Sequence, residues 1–215
     1  MEIETETTTE AWKKALKYVF ENGKDFEDKN RICREILNLT IKIKQPEKDI
    51  TGPIEILNSF RKWVYPPLEE IKNIITSKNL APVYSYIYGP RIFNYRSKID
   101  QIEDFIIPLL KGTKESRRAV VTLWDPEQDS NIYNKGVPGL ITLDFKLRKN
   151  RLNVTAVIRS NDLFFGWPAN IFQIYSLQEL IIKKLDCLPG SITIFSTSIH
   201  IFKDQFEDIK KVLEG

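Results

Sequence analysis

Arg159-Ser160-Asn161-Asp162-Leu163-Phe164-Phe165-Gly166-Trp167-Pro168-Ala169-Asn170 joins the two patterns that decide the fold. Upstream, apolar runs at about 119–124, 140–147 and 152–158 have the length of strands and are separated by turn-prone segments. Lys149-Asn150 reads as a hairpin turn between the last two, because Asn tolerates positive φ. Downstream, Ile171, Ile174, Leu177, Leu180 and Ile181 recur at helical spacing from Pro168 to about Leu185. So many apolar positions exceed what a lightly buried surface helix carries, which predicts a helix through the middle of the core. Gly190 opens a further strand to about Ile201, and a short helix begins at Asp204.

The first half supplies the rest of the frame. Trp12, Leu16, Val19 and Phe20 fall on one helical face, with Thr8 as a cap and Gly23 as a stop. Ile36 and Leu37 lead into Leu39, Ile41 and Ile43, which alternate with Thr40, Lys42 and Lys44 before Pro46 and predict a strand with one buried face. Residues 53–78 read as helical across Pro66-Pro67. Ile99, Ile102, Phe105, Ile106, Leu109 and Leu110 predict an amphipathic helix closed by Gly112. Strands and helices mix without regular alternation, so the fold class is α+β, with a mixed sheet, flanking helices and one long buried helix. A single domain over residues 1–215 is expected from the length and the 42% hydrophobic content.

Composition narrows the function. Lys+Arg number 32 against 29 Asp+Glu, with the signs interspersed, so the net +3 marks no nucleic-acid surface. The apolar runs fall short of the roughly 20 residues that a membrane span needs. The start, Met1-Glu2-Ile3-Glu4, is acidic and lacks a secretory pattern; the two widely separated Cys make no disulfide framework. A soluble protein of the reducing cytoplasm is the expectation. One His and two Cys without close spacing argue against a structural zinc site, and no metal is expected.

Arg159-Ser160-Asn161-Asp162 ends a strand and precedes a Gly-aromatic-Pro turn into a helix, a place where ligand groups often sit. A guanidinium offers a fork of donors to phosphate, and the Ser hydroxyl adds one more. The competing reading is a polar loop in which Asp162 pairs with Arg159.

The stretch from Arg159 to Asn170 resembles the nucleotide-binding signature of the thymidylate synthase and dCMP hydroxymethylase family. Ser116-Arg117-Arg118-Ala119-Val120-Val121-Thr122-Leu123-Trp124-Asp125-Pro126 resembles that family's double-Arg strand, and Ser196-Thr197-Ser198-Ile199-His200-Ile201-Phe202 its late His-containing strand. Tyr84-Ser85-Tyr86-Ile87-Tyr88-Gly89-Pro90-Arg91 looks like the Tyr-Gly stretch bordering the pocket. The likeness spans about residues 10–210 and is closest to short archaeal-type synthases.

The resemblance implies a homodimer in which Arg159 and Ser160 hold a nucleotide phosphate together with Arg117 and Arg118 of the other subunit. A further phosphate ligand on an early loop is Arg31 or Arg34. Asn170 matches the residue that reads the pyrimidine edge, its amide complementing uracil O4 and N3–H, so a dUMP- or UMP-like nucleotide is expected. Asp162 matches a carboxylate that contacts the pterin of 5,10-methylenetetrahydrofolate. His200 matches a sugar ligand, but its usual Tyr companion is Phe202 here, which donates no hydrogen bond. Tyr88 and Trp167 are expected to wall the pocket.

The family's nucleophilic thiol lies in a Pro-Cys pair, which in this chain reads Pro138-Gly139. A thiolate adding to C6 makes C5 of the ring nucleophilic toward a one-carbon unit. Losing such a nucleophile costs on the order of 10⁶ in rate. Cys33 and Cys187 read as buried small hydrophobes, and Tyr133, Lys135 and Ser160 do not match the softness of a thiol. Two readings stand. One is a folate-dependent methyl or hydroxymethyl transferase acting at C5 of a uridine nucleotide by an altered mechanism; the other is a non-catalytic nucleotide-binding homologue serving as sensor, regulator or partner.

Overall fold

The computed structural model describes residues 1–28, 31–79, 88–134 and 136–214. In chain order they form β1 (Glu2–Thr5), α1 (Thr8–Asn22), β2 (Lys24–Asp28), β3 (Arg31–Ile43), α2 (Gly52–Ser59), α3 (Leu68–Thr76) and α4 (Tyr88–Phe93). A widened helical turn at Gln101–Ile106 runs into α5 (Ile107–Gly112). There follow β4 (Val120–Thr122), α6 (Pro126–Asp129), β5 (Leu140–Arg148), β6 (Arg151–Ile158), β7 (Asn161–Asp162), α7 (Gly166–Leu185), β8 (Leu188–Phe202) and α8 (Phe206–Glu214). One mixed sheet runs in the order β1-β3-β8-β6-β5-β4, with β2 added to β3 and β7 to β8. β1 on β3, and β6 and β7 on β8, are parallel; the other pairs are antiparallel. The architecture is the expected α+β.

α7 lies between the sheet and a second helical layer, touching β6 and β8 on one side and α3 and α5 on the other. Its buried residues therefore occupy most of its circumference, from Trp167 to Ile181. The amide of Gln178, fully buried, donates to Leu152 O at 2.7 Å and Gly190 O at 3.1 Å and so joins the helix to the starts of β6 and β8. Gly190 allows that approach, since a Cβ there would lie 2.7 Å from Leu152 O.

The hairpin turn falls on Lys149 and Asn150, whose φ of 49° and 58° are those of a type I′ turn. Elsewhere the local readings need correction. The predicted helix over 53–78 is two helices, α2 and α3, because residues 60–67 leave the helical path around Arg61 at φ 57° and the Pro66-Pro67 pair. Thr8 does not cap α1: its N–H and that of Thr9 donate to the Asp49 carboxylate at 2.6 and 2.9 Å. Gly23 ends α1 at an ordinary negative φ of −67°, where a Cβ would meet Arg34 Cγ at 2.6 Å. Ile99 lies outside the helical segment and Phe105 is exposed, while Ile102, Ile106 and Leu110 face the core.

β3 and β8 are kinked at the same level. Leu39 pairs with Ser196 and Leu37 with Ser198, and Asn38 between them has φ 58°. Along β8 the buried positions are Ile192, Ile194 and Ser196, then Ile199 and Ile201. Beyond the kink, Ser198 and His200 consequently face away from the helices that cover Ile199 and Ile201.

Candidate functional site

β5 begins and β6 ends at one rung, Leu140 opposite Ile158, so the segments flanking that rung meet. The Arg159 N–H donates to Gly139 O at 2.9 Å, and the Thr197 hydroxyl donates to Arg159 O at 2.8 Å. The guanidinium donates through Nε to Pro138 O at 3.0 Å and through Nη2 to Val137 O at 3.1 Å. Among the described residues it makes no ion pair, so the alternative of an Arg159–Asp162 pair is not realised and the rest of its donor fork is available. Ser160 is exposed beside it. A Cβ built on Gly139 would stand 3.4 Å from Ser160 O and 3.7 Å from the Tyr88 hydroxyl. Gly139, Arg159, Ser160 and Tyr88 thus converge on one place.

The next two residues of the signature point to opposite sides of the sheet. Asn161, fully buried, pairs in register with Ile199, donates to Ser196 Oγ at 3.0 Å and accepts from Asn170 Nδ2 at 3.2 Å. Asn170 is inside α7, which starts at Gly166, and its amide is oriented by Asn161. Asp162 pairs in register with His200. Its Oδ1 accepts from the N–H groups of Phe164 at 3.0 Å and Phe165 at 3.2 Å. Burial nevertheless raises the carboxyl above the usual carboxylate range, opposed by the Phe165 N–H, His200, the Phe164 N–H and Gln205.

Aromatic packing fixes this turn. The Trp12 indole donates to Leu163 O at 2.8 Å, Trp63 meets Phe164 edge-on at 5.2 Å, and Tyr65 stacks on Phe165 at 4.4 Å while its hydroxyl donates to Phe165 O. Burial, with Asp162 nearby, raises the Tyr65 phenol well above its ordinary value.

Other predicted residues lie elsewhere. Arg117 and Arg118 are exposed just before β4 and make no ion pair among the described residues. Val120 pairs with Asp144, four residues or roughly 13 Å along β5 from Leu140, and the two Arg continue in that direction, away from Gly139 of their own chain. Arg31 donates to both oxygens of Asp204 at 2.9 Å and covers the Phe202 ring at 3.5 Å. Arg34 is held by Asp25 and by Phe20 O. Trp167 is fully buried and contributes core rather than an accessible pocket wall, because the first turn of α7 points it inward. Cys33 and Cys187 are buried, and burial pushes the Cys187 thiol up. Tyr133, at 84% exposure, is outside the cluster. Tyr84 to Ile87 and Lys135 lie outside the described residues.

Residue patterns alone do not single out Glu35, Tyr65, Ser198 or Gln205. Glu35 sits opposite His200 on β3 and accepts a hydrogen bond from Ser198. A charge alternating with apolar residues reads as a solvent face, and only strand pairing reveals its neighbour.

The thymidylate synthase family model matches residues 30–215. A protein of Methanococcoides burtonii provisionally named thymidylate synthase is 33% identical over 99% of this chain and 94% of its own length. A Methanothermobacter marburgensis protein of the same provisional name is 31% identical over 100% and 98%, and one of Methanocaldococcus jannaschii 34% identical over 87% and 82%. Thermostable thymidylate synthase A from Bacillus subtilis has a similar fold, with a TM-score of 0.68 over 97% of this chain and 84% of that one at 17% identity. With the family model covering β3 to α8, and so the buried helix and the Arg159–Asn170 turn, the chain belongs to the thymidylate synthase family.

Proposed function

We propose that this protein binds a uridine nucleotide in a pocket completed by a second copy of the chain, and transfers a one-carbon unit to C5 of the ring without a cysteine nucleophile at residue 139. The observation that carries this reading is the meeting of Gly139 with Arg159, Ser160 and the Tyr88 hydroxyl. Arg159 and Ser160 bind the phosphate, joined by the partner subunit's double Arg. Asn170, oriented by Asn161, presents the remaining donor and acceptor of its amide to the uracil edge. His200 contacts the sugar.

The family generally uses 5,10-methylenetetrahydrofolate, which supplies the one-carbon unit when bound. Asp162 suits a pterin because it is a part-buried carboxylate, already poised by two backbone N–H groups, beside the stacked Tyr65 and Phe165 rings. Its role is to accept hydrogen bonds and fix orientation. At Gly139 no side chain attacks C6, so ring activation falls to the electrostatics of the pocket and to the polar side chain nearest that position, Tyr88.

Calorimetry with dUMP and UMP, each with and without methylenetetrahydrofolate, tests binding, and tritium release from C5-labelled nucleotide tests chemistry. The expected result is nucleotide-dependent folate binding with slow tritium release. Tight nucleotide binding with neither folate binding nor tritium release would establish the second reading, a binding-only homologue, which Gly139 also favours.

A further inference from the structure

Beyond the kink, three acidic or basic side chains from three strands stand in one row. Glu35 on β3 and Asp162 on β7 are each in register with His200 on β8, and in-register neighbours share a face of the sheet. At about 4.8 Å per strand, His200 therefore has a carboxylate on either side. The two carboxylates are engaged differently. Asp162 is turned to the Phe164 and Phe165 N–H groups through Oδ1. One oxygen of Glu35, Oε1, takes the Ser198 hydroxyl, and Oε2 has no protein partner among the described residues. Glu35 is half-buried.

Two residues along the same face of β8 from His200, Phe202 is capped by the Arg31 guanidinium at 3.5 Å, which is itself paired with Asp204. That side of His200 offers a ring and no hydroxyl. Of the two carboxylates in register with His200, Glu35 is the one with an oxygen that makes no hydrogen bond among the described residues. A carboxylate next to a sugar binds hydroxyl donors, and an acidic residue reading a ribose 2′-hydroxyl is a recurring solution in nucleotide sites.

We propose that Glu35 is a specificity-determining residue that accepts a hydrogen bond from the sugar of the bound nucleotide and selects a ribonucleotide over its 2′-deoxy counterpart. The proposal rests on the assignment of His200 to the sugar. A hydrogen bond to a charged acceptor made with UMP and absent with dUMP favours UMP by about tenfold or more. Ser198, by donating to Oε1, holds the carboxylate against the sheet as a positioning residue.

The test is calorimetric titration of the full-length protein, Glu35→Gln and Glu35→Ala with UMP and dUMP, the fold of each variant being checked by circular dichroism. The parent is expected to prefer UMP about tenfold, Glu35→Gln to keep only part of that preference, and Glu35→Ala to bind both alike, with dUMP affinity little changed. Equal affinity of the parent for UMP and dUMP, or a preference that survives both substitutions, overturns the proposal and leaves the nucleotide pocket standing. If neither nucleotide binds the folded parent, the proposal and the pocket fall together. Should one variant misfold, the other still decides.

Discussion

At Gly139 the backbone makes no demand for glycine. No described glycine has a positive φ, and the nearest atoms to a Cβ there, at 3.4 and 3.7 Å, are at ordinary contact distance. Gly190 is different, with Leu152 O at 2.7 Å. A side chain at residue 139 is thus tolerated by the fold, and Gly139→Cys is expected to change stability by less than about 1 kcal/mol. Because the introduced thiol would point toward the Arg159 and Tyr88 cluster, we expect it to add to a bound uridine nucleotide and to raise tritium release steeply. A folded variant that binds nucleotide yet forms no covalent adduct by mass spectrometry would show that residue 139 does not face the ring. Asp162 gives a second residue-scale prediction. Burial first, outweighing its N–H partners and His200, raises its folded pKa above the unfolded value, so the native state holds the proton more tightly than the unfolded chain does. Ionisation then costs stability once the pH exceeds the unfolded value of about 3.9, and the full cost is present above the folded value. Asp162→Asn should therefore melt higher than the parent at neutral pH, the gain disappearing in acid, while folate binding weakens. A melting difference that does not depend on pH contradicts this account of the carboxyl.

At the scale of elements, α1 owes its start to a residue from another segment. Asp49 accepts from the Thr8 and Thr9 N–H groups at the positive end of the helix, so Asp49→Ala should cost about 1–2 kcal/mol in denaturant unfolding, whereas Thr8→Ala should leave the cap hydrogen bonds intact. This cap also shows where sequence reading stops. Periodicity identifies α1, β3, the Lys149-Asn150 hairpin and α7 because each signal lies within the element's own residues. Capping by Asp49 depends on a contact across 41 residues, and the kink at Asn38 and Thr197 depends on pairing between strands at opposite ends of the chain. β1, with its charged and apolar residues in so short a run, is defined by parallel pairing to Thr40–Ile43. The site divides the same way. Arg159, Ser160 and Gly139 are legible because each belongs to a stretch resembling the family's, and strand pairing then brings the stretches together. Trp167 misleads because its place in the signature does not reveal that the first turn of α7 aims it into the core.

For the whole molecule, the decisive geometry is the separation of Arg117 and Arg118 from Arg159 along the sheet. Within one chain the two groups lie toward opposite ends of β5 and cannot grip one phosphate together. The side of the sheet away from α7 carries partly exposed residues, among them Leu37 at 63% and Val120 at 37% exposure, a face suited to pack on a second copy. In the proposed dimer each double Arg joins the partner's Arg159, and clustering cations there becomes favourable once a phosphate binds between them. Two variants separate this arrangement from a pocket confined to one chain. If the site is shared as proposed, Arg159→Ala removes one half of every site and the combined change Arg117→Ala with Arg118→Ala the other, so each alone should bind UMP at least about tenfold more weakly. Co-refolding them in equal amounts forms mixed dimers in half of the population, each with one intact site and one doubly defective site. Nucleotide affinity should then return to about a quarter of the sites, read as a tight-binding fraction in calorimetry. A mixture that shows no such fraction, with mixed dimers confirmed by native mass spectrometry, places the phosphate ligands within a single chain and removes the double Arg from the pocket.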